Sequence, residues 1–263
     1  MFIRKRLCQA GILISLVSSQ SGCRQSLPPN ASAKPEVAVA AAANLTGVFQ
    51  RIGPRFEAQT GIHAVFSFGS TAQLATQIEN AAPFDLFMAA DAKHVDDLDR
   101  MGLLASGTRA VYARGILALW IPAHCRARLT RIEGLTLPEV RFIAVAKPEL
   151  APYGQAAVET LQHLGIWDQV KSKIVYAANI NTAKQYGASG NADAVFTAYS
   201  LVLKESDRVI PVDETLHQPI DQELGIVANC RHPDAAGKFV DFMLAGEGRD
   251  ILVAYGYMKP QGR

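Results

Sequence analysis

Four short segments of this chain bring hydroxyl and amide side chains to points where an apolar run gives way to a helical pattern. They are AAANLT with Asn44, FGSTAQ with Ser70 and Thr71, PELAPYGQ with Pro152 and Tyr153, and AANINTAK with Asn179, Asn181 and Thr182. The first turn of a helix leaves backbone N–H groups without acceptors and carries the positive end of the helix dipole. Each turn can therefore cap its own helix or hold an anion. Four such turns, two in each half of the chain, point to one shared anion site. Catalytic machinery is not legible. There is no G-x-S-x-G elbow, no P-loop and no H-E-x-x-H helix, and the six histidines are scattered singly. The chain reads as a binding protein, not an enzyme.

The elements that must position these turns alternate. VAVAAA (37–42), HAVFSF (63–68), DLFMAA (85–90) and GILALWI (115–121) read as strands, and RFIAVA (141–146), IVYAA (174–178), AVFTAY (194–199) and LGIVAN (224–229) extend the series. Between them lie helical stripes. Leu45, Val48, Phe49, Ile52 and Phe56 form one; Leu74 with Ile78, and Ala157 with Leu161 and Leu164, form others. A further helix is expected from about Thr182, and two more over 234–245 and 247–255. Strands alternating with helices predict an α/β fold with parallel-type sheets covered on both faces, in two series with a cleft between them. In such sheets the turns at the carboxyl ends of the strands gather where ligands bind.

Composition bounds the rest. The 263 residues are 49% hydrophobic and 19% charged, ordinary for a globular protein. No run approaches the ~20 apolar residues of a membrane span. Residues 1–22 combine Arg4, Lys5 and Arg6 with a short apolar stretch and read as a secretory signal peptide; 23–35 reads as a linker. Ser21-Gly22-Cys23 resembles a bacterial lipobox, with Gln20 where Leu is preferred, so Cys23 is a candidate for lipidation. Removing the three cations of the signal turns 26 basic against 24 acidic side chains into 23 against 24. That balance argues against a nucleic-acid partner. Cys125 and Cys230 remain as thiols that an oxidising compartment could join in a disulfide. His124 and His232 lie near them, but no C-x-x-C spacing points to zinc. Asp85 and Asp91, at either end of a strand, read as caps of neighbouring elements.

Longer matches carry a resemblance. VAVAAAANLTGVFQRIGPRFEAQTG, FSFGSTAQLATQIENAAPFDLFMAAD, AVAKPELAPYGQAAVETLQHLGIW and the LVAYGY ending look like the molybdate-binding solute receptors of ABC transporters, the ModA-type proteins. The resemblance spans about residues 37–258. It implies a two-lobed periplasmic-binding-protein fold of type II with a two-crossing hinge. Lobe 1 would comprise 36–118 and 215–263, and lobe 2 would comprise 119–214. It also implies molybdate or tungstate held between the lobes by neutral donors, with molybdenum present only as the bound oxyanion and no cofactor. Carried over by position, the ligand-binding residues are Asn44 in place of the family's more common Ser, Thr71 with Ser70 beside it, Tyr153, and a backbone donor at about Ile180 with Asn181 next. The Tyr that many members add falls at Ala198, with Tyr199 one place on, so Tyr153 or Tyr199 supplies the phenol. None of these positions is Arg or Lys; Lys147 and Lys184 are close enough in sequence to contribute at the rim but read as solvated surface lysines. The implied partner is a membrane permease, and the implied state is a monomer in the periplasm or another extracytoplasmic space. Two alternatives remain: a receptor for another oxyanion such as sulfate or phosphonate, and a sensory lipoprotein of the same fold.

Overall fold

The computed structural model describes residues 35–205 and 208–260. The signal segment, Cys23 and all but the last residue of the linker lie outside them. The first series begins with β1 (Glu36–Ala42), a 3-10 turn (Ala43–Leu45) and α1 (Thr46–Thr60). It continues through β2 (His63–Gly69), α2 (Thr71–Glu79), β3 (Leu86–Met88), α3 (Lys93–Arg100) and β4 (Ala110–Gly115). The second series runs through β5 (Leu117–Trp120), β6 (Ile143–Ala146), α4 (Pro152–His163), α5 (Trp167–Val170) and β7 (Ile174–Ala177). After these come α6 (Ile180–Ala188), β8 (Ala194–Ala198), α7 (Tyr199–Val202) and β9 (Val209–Pro211). The chain closes with β10 (Ile220–Ile226), α8 (Pro233–Leu244) and α9 (Glu247–Ala254).

Two five-stranded sheets result, ordered β2-β1-β3-β10-β4 and β7-β6-β8-β5-β9. The chain passes between them through Ile116 and again between Pro211 and Ile220. Leu117 and Ala118 pair with β8, so the second sheet begins two residues before the boundary expected from the sequence.

The parallel-type sheets expected from the sequence also hold antiparallel strands, so both are mixed. β10 is antiparallel to β3 and β4, and β5 is antiparallel to β8 and β9. The crossings supply the reason. β1, β2 and β3 run parallel, as do β6, β7 and β8, and each set ends at the cleft. A strand arriving from the other lobe must start at the cleft and run away from it. The same crossing divides GILALWI, read as one strand: Gly115 closes β4 and Leu117 opens β5.

Each lobe has its own core. In the first, the α1 stripe of Leu45, Val48, Phe49, Ile52 and Phe56 packs with Phe239, Phe242 and Met243 of α8. Phe56 and Phe239 meet edge to face at 4.8 Å. In the second, Leu117, Leu119, Ile143, Val145 and Phe196 pack with Ala157 and Leu161 of α4. That cluster continues across the cleft to Ala42, Ala43 and Ala90 of the first lobe. The lobes are therefore closed on one another, and Ala72 N–H donates across the cleft to Leu150 O at 3.2 Å.

Cys125 lies in the core of the second lobe and Cys230 at the edge of a cluster in the first, and both are free thiols. Of the two readings open from the sequence, paired or unpaired thiols, the structure has the unpaired one: the two side chains belong to separate cores on different lobes.

Candidate anion-binding site

Where the two lobes meet, a small cavity is lined by Ala42, Ala43, Asn44, Gly69, Ser70, Thr71, Ala90, Ala151, Pro152, Tyr153, Asn179 and Ile180. No lining side chain is charged. Two helix starts come from each lobe: the turn before α1 and the start of α2 from the first, α4 and α6 from the second. The N–H groups of Asn44, Thr71, Tyr153 and Ile180 lie in first turns, where no intrahelical acceptor exists. Closeness at α4 depends on Gly154, because a Cβ there would run into the Ala146 carbonyl of β6.

The side chains divide into donors and supports. Ser70 is the N-cap of α2: its Oγ donates to Gln73 Oε1 at 2.8 Å and accepts from Gln73 N–H at 3.4 Å. Its hydroxyl hydrogen is engaged. Thr71 is arranged differently. Its Oγ1 accepts from Ala90 N–H at 3.1 Å, which leaves its own hydrogen for the cavity. Asn179 caps α6 by accepting from Thr182 N–H at 2.9 Å, and Ile180, which also lines the cavity, has its N–H in the first turn.

Asn44 is not the N-cap its sequence position suggests. It lies inside the 3-10 turn, whose N-cap is Ala42. Its side-chain Nδ2 donates to Gln222 Oε1 at 2.9 Å and to Tyr257 Oη at 3.0 Å, so both amide hydrogens are occupied. What it offers the cavity is its backbone N–H.

Tyr153, 1% exposed, projects toward the crossings, where its Oη accepts from Gln222 Nε2 at 2.9 Å. Burial, with the nearby Tyr257, pushes its pKa well above the ordinary phenol value, and the hydrogen bond from Gln222 offsets only part of this. Tyr153 is a neutral donor throughout the physiological range. Tyr199 packs instead beside Gly256.

Asn181 does not reach the cavity. It lines a larger groove on one flank of the cleft, with Thr46, Lys184, Ser200 and Lys204. Lys184 lies in that groove, and its Nζ donates to Leu201 O at 2.6 Å.

Sequence reasoning missed the supporting polar cluster of Gln222, Tyr112 and Ser200. Tyr257 entered it only as the last residue of the LVAYGY ending. A lone Gln in a strand and a Tyr in an unrecognised one carry no spacing signal.

A profile described as bacterial extracellular solute-binding protein matches residues 37–258. This chain belongs to that family. Among solute-binding relatives, the molybdate-binding protein ModA of Azotobacter vinelandii is 36% identical over 230 residues, 84% of this chain and 89% of that protein. The molybdate-binding protein ModA of Rhodobacter capsulatus is 34% identical over 224 residues, 85% and 88% of the two chains. The solved structure of the A. vinelandii periplasmic molybdate-binding protein superposes with a TM-score of 0.79 at 31% identity, covering 86% of this chain and all (100%) of that one. The sulfate-binding protein SubI of Mycobacterium tuberculosis superposes at 0.73 with 14% identity, a likeness of fold alone. As a family, solute-binding proteins of this kind act outside the cytoplasm.

Proposed function

We propose that this protein captures molybdate, and tungstate with it, between its two lobes and delivers it to the membrane permease of an ABC transporter. Asn44, Thr71, Tyr153 and Ile180 bind the anion, Ser70 shapes the turn that presents Thr71, and Asn181 stands at the rim. The observation that carries this reading is the wall of neutral donors at four helix starts, two from each lobe, with no charged side chain among them. A fully ionised tetrahedral dianion brings no proton and needs only donors, and the helix dipoles offset its charge. Ligand contacts divided between lobes favour the closed form, because only closure completes the donor shell. The closed protein then docks on the permease as a monomer. It has no catalytic role and no cofactor. Export by the signal segment puts it in the periplasm or another extracytoplasmic space, with Cys23 as its candidate lipid anchor to a membrane.

Parallel calorimetric titrations with molybdate, tungstate, sulfate and phosphate test the reading. One-to-one binding of the first two, with sulfate and phosphate far weaker, is the expected result. Sulfate binding as tight as molybdate would assign the cavity to the smaller oxyanion. No binding of any of the four would refute an oxyanion receptor.

A further inference from the structure

A directional chain of buried hydrogen bonds runs beside the cavity, and its direction is set at a backbone carbonyl. Tyr257 Oη donates its single hydrogen to Asn44 O at 2.9 Å, since a carbonyl can only accept. The Tyr257 oxygen is thereby left to accept, and it does so from Asn44 Nδ2 at 3.0 Å and from Ser200 Oγ at 3.1 Å. With its amino group oriented in this way, Asn44 donates its second hydrogen to Gln222 Oε1 at 2.9 Å. Tyr112 Oη, 2.8 Å from the same Oε1 and 2.9 Å from Ala89 O, shares its hydrogen between these two acceptors. Because the Gln222 carbonyl faces Asn44, the amide can only turn its Nε2 toward Tyr153 Oη, 2.9 Å away. A phenol oxygen that accepts from Gln222 keeps its own hydrogen for another acceptor.

The backbone is shaped around this contact. The β10–β4 register shifts between Gln222 and Glu223, with Tyr112 as the extra residue on β4, and a bulge of this kind re-aims side chains. A Cβ on Gly115 would run into both Tyr153 Oη and Gln222 Nε2, so glycine is needed at the crossing. Gln222 itself is fully buried (0% exposed).

We propose that Gln222 is a positioning residue: it holds the Tyr153 hydroxyl with its O–H directed at the bound oxyanion, and it joins the two lobes in doing so. This rests on the assignment of the cavity as the oxyanion site and adds a residue that does not line it. Removing the amide frees the Tyr153 hydroxyl to rotate away, so binding loses a charge-directed donor without losing any wall of the cavity.

The test is a double-mutant cycle on the purified protein, read as the dissociation constant for molybdate. Gln222→Met, close in volume, is expected to weaken binding about 10- to 100-fold in the parent. In a Tyr153→Phe background the same change is expected to alter affinity less than about twofold, because no hydroxyl remains to orient. Equal losses in both backgrounds would overturn the proposal. A Tyr153→Phe variant that binds like the parent would overturn it as well, since the phenol would then give the anion nothing; a parent protein that binds no molybdate would instead refute the site assignment, a separate result.

Gln222→Glu gives a readout that packing alone would not move and covers the case in which the Met variant does not fold. When protonated, the introduced carboxyl offers one acceptor and one donor, as the amide does. When ionised it only accepts, and it draws the Tyr153 hydrogen away from the anion. Binding by Gln222→Glu relative to the parent is expected to fall at least about tenfold between about pH 5 and pH 8. The phenols around this position do not titrate there. The Tyr112 and Tyr153 phenols are pushed well above their ordinary pKa and Tyr257 to about 12, all by burial first. Asp221 and Glu223 on the same strand pair with Arg114 and Arg109, and Asp91, beyond Tyr112, holds His94. A flat profile at parent affinity would overturn the proposal.

Discussion

Replacing Thr71 by Val separates two jobs that one hydroxyl performs. Thr71 is 1% exposed and lines the cavity, and its Oγ1 accepts from Ala90 N–H at 3.1 Å, which leaves its own hydrogen for an anion there. Valine keeps the shape and removes both interactions. The lost donor to a dianion is a hydrogen bond to a charged acceptor, about 1.5–3 kcal/mol, or roughly 10- to 150-fold in affinity. Leaving the Ala90 N–H without a partner costs about 1–3 kcal/mol of stability. For a chain of this size that lowers the Tm of the ligand-free protein by roughly 2–4 °C per kcal/mol. Calorimetric titration with molybdate measures the first effect, and thermal unfolding of the ligand-free protein measures the second. Thr71→Ser restores the O–H and should recover most of both. If Thr71→Val lowered the Tm but bound molybdate like the parent, the hydroxyl would serve only Ala90, and its role as an anion ligand would be refuted.

Other consequences can be checked independently. Asn44→Ala should weaken molybdate binding by about 1–3 kcal/mol even though the backbone N–H remains, because Gln222 and Tyr257 each lose a donor; unchanged affinity would contradict the support role. Gly115→Ala places a methyl group against Tyr153 and Gln222, so affinity should fall more steeply than the Tm of the ligand-free protein; the reverse ranking would show that the crossing matters for folding alone. Asp85 is almost fully buried. Burial raises its pKa, but hydrogen bonds from Ala38 N–H, the His232 ring, and the N–H groups of His232 and Arg231 outweigh that and leave it below the ordinary 3.8. A depressed carboxylate stabilises the fold above its unfolded pKa, and that contribution is lost as pH falls through the folded value. Acid unfolding monitored by circular dichroism should therefore be shallower below about pH 4 in Asp85→Asn than in the parent. Since Cys125 and Cys230 are free, a reducing agent should leave the Tm unchanged, and a drop would reveal a bridge.

The helices and the inner strands could be read in the sequence because their apolar spacing follows the geometry of the element itself. The α1 stripe from Leu45 to Phe56 is buried as its offsets require, and β1, β2 and β6 fall within a residue or two of the runs that announced them. α3 and β4 were not legible. KHVDDLDR buries only Val95 and Leu98, and AVYARG owes its strand conformation to pairing with β10, more than a hundred residues later in sequence.

The site divides along the same line. By itself the sequence determined which residues stand at helix starts, since Ser70, Thr71, Pro152, Tyr153 and Asn179 follow strands and precede helical stripes, and local chemistry decides caps and first turns. Tertiary structure alone decided what each offers: Ser70 turned to Gln73 as a cap, Thr71 held open by Ala90, the Asn44 amide turned away to Gln222 and Tyr257, and Asn181 left on the flank. A hydroxyl or amide can satisfy several partners, and the choice rests on which groups distant in sequence come within about 3 Å. That is a property of packing, and no local pattern encodes it.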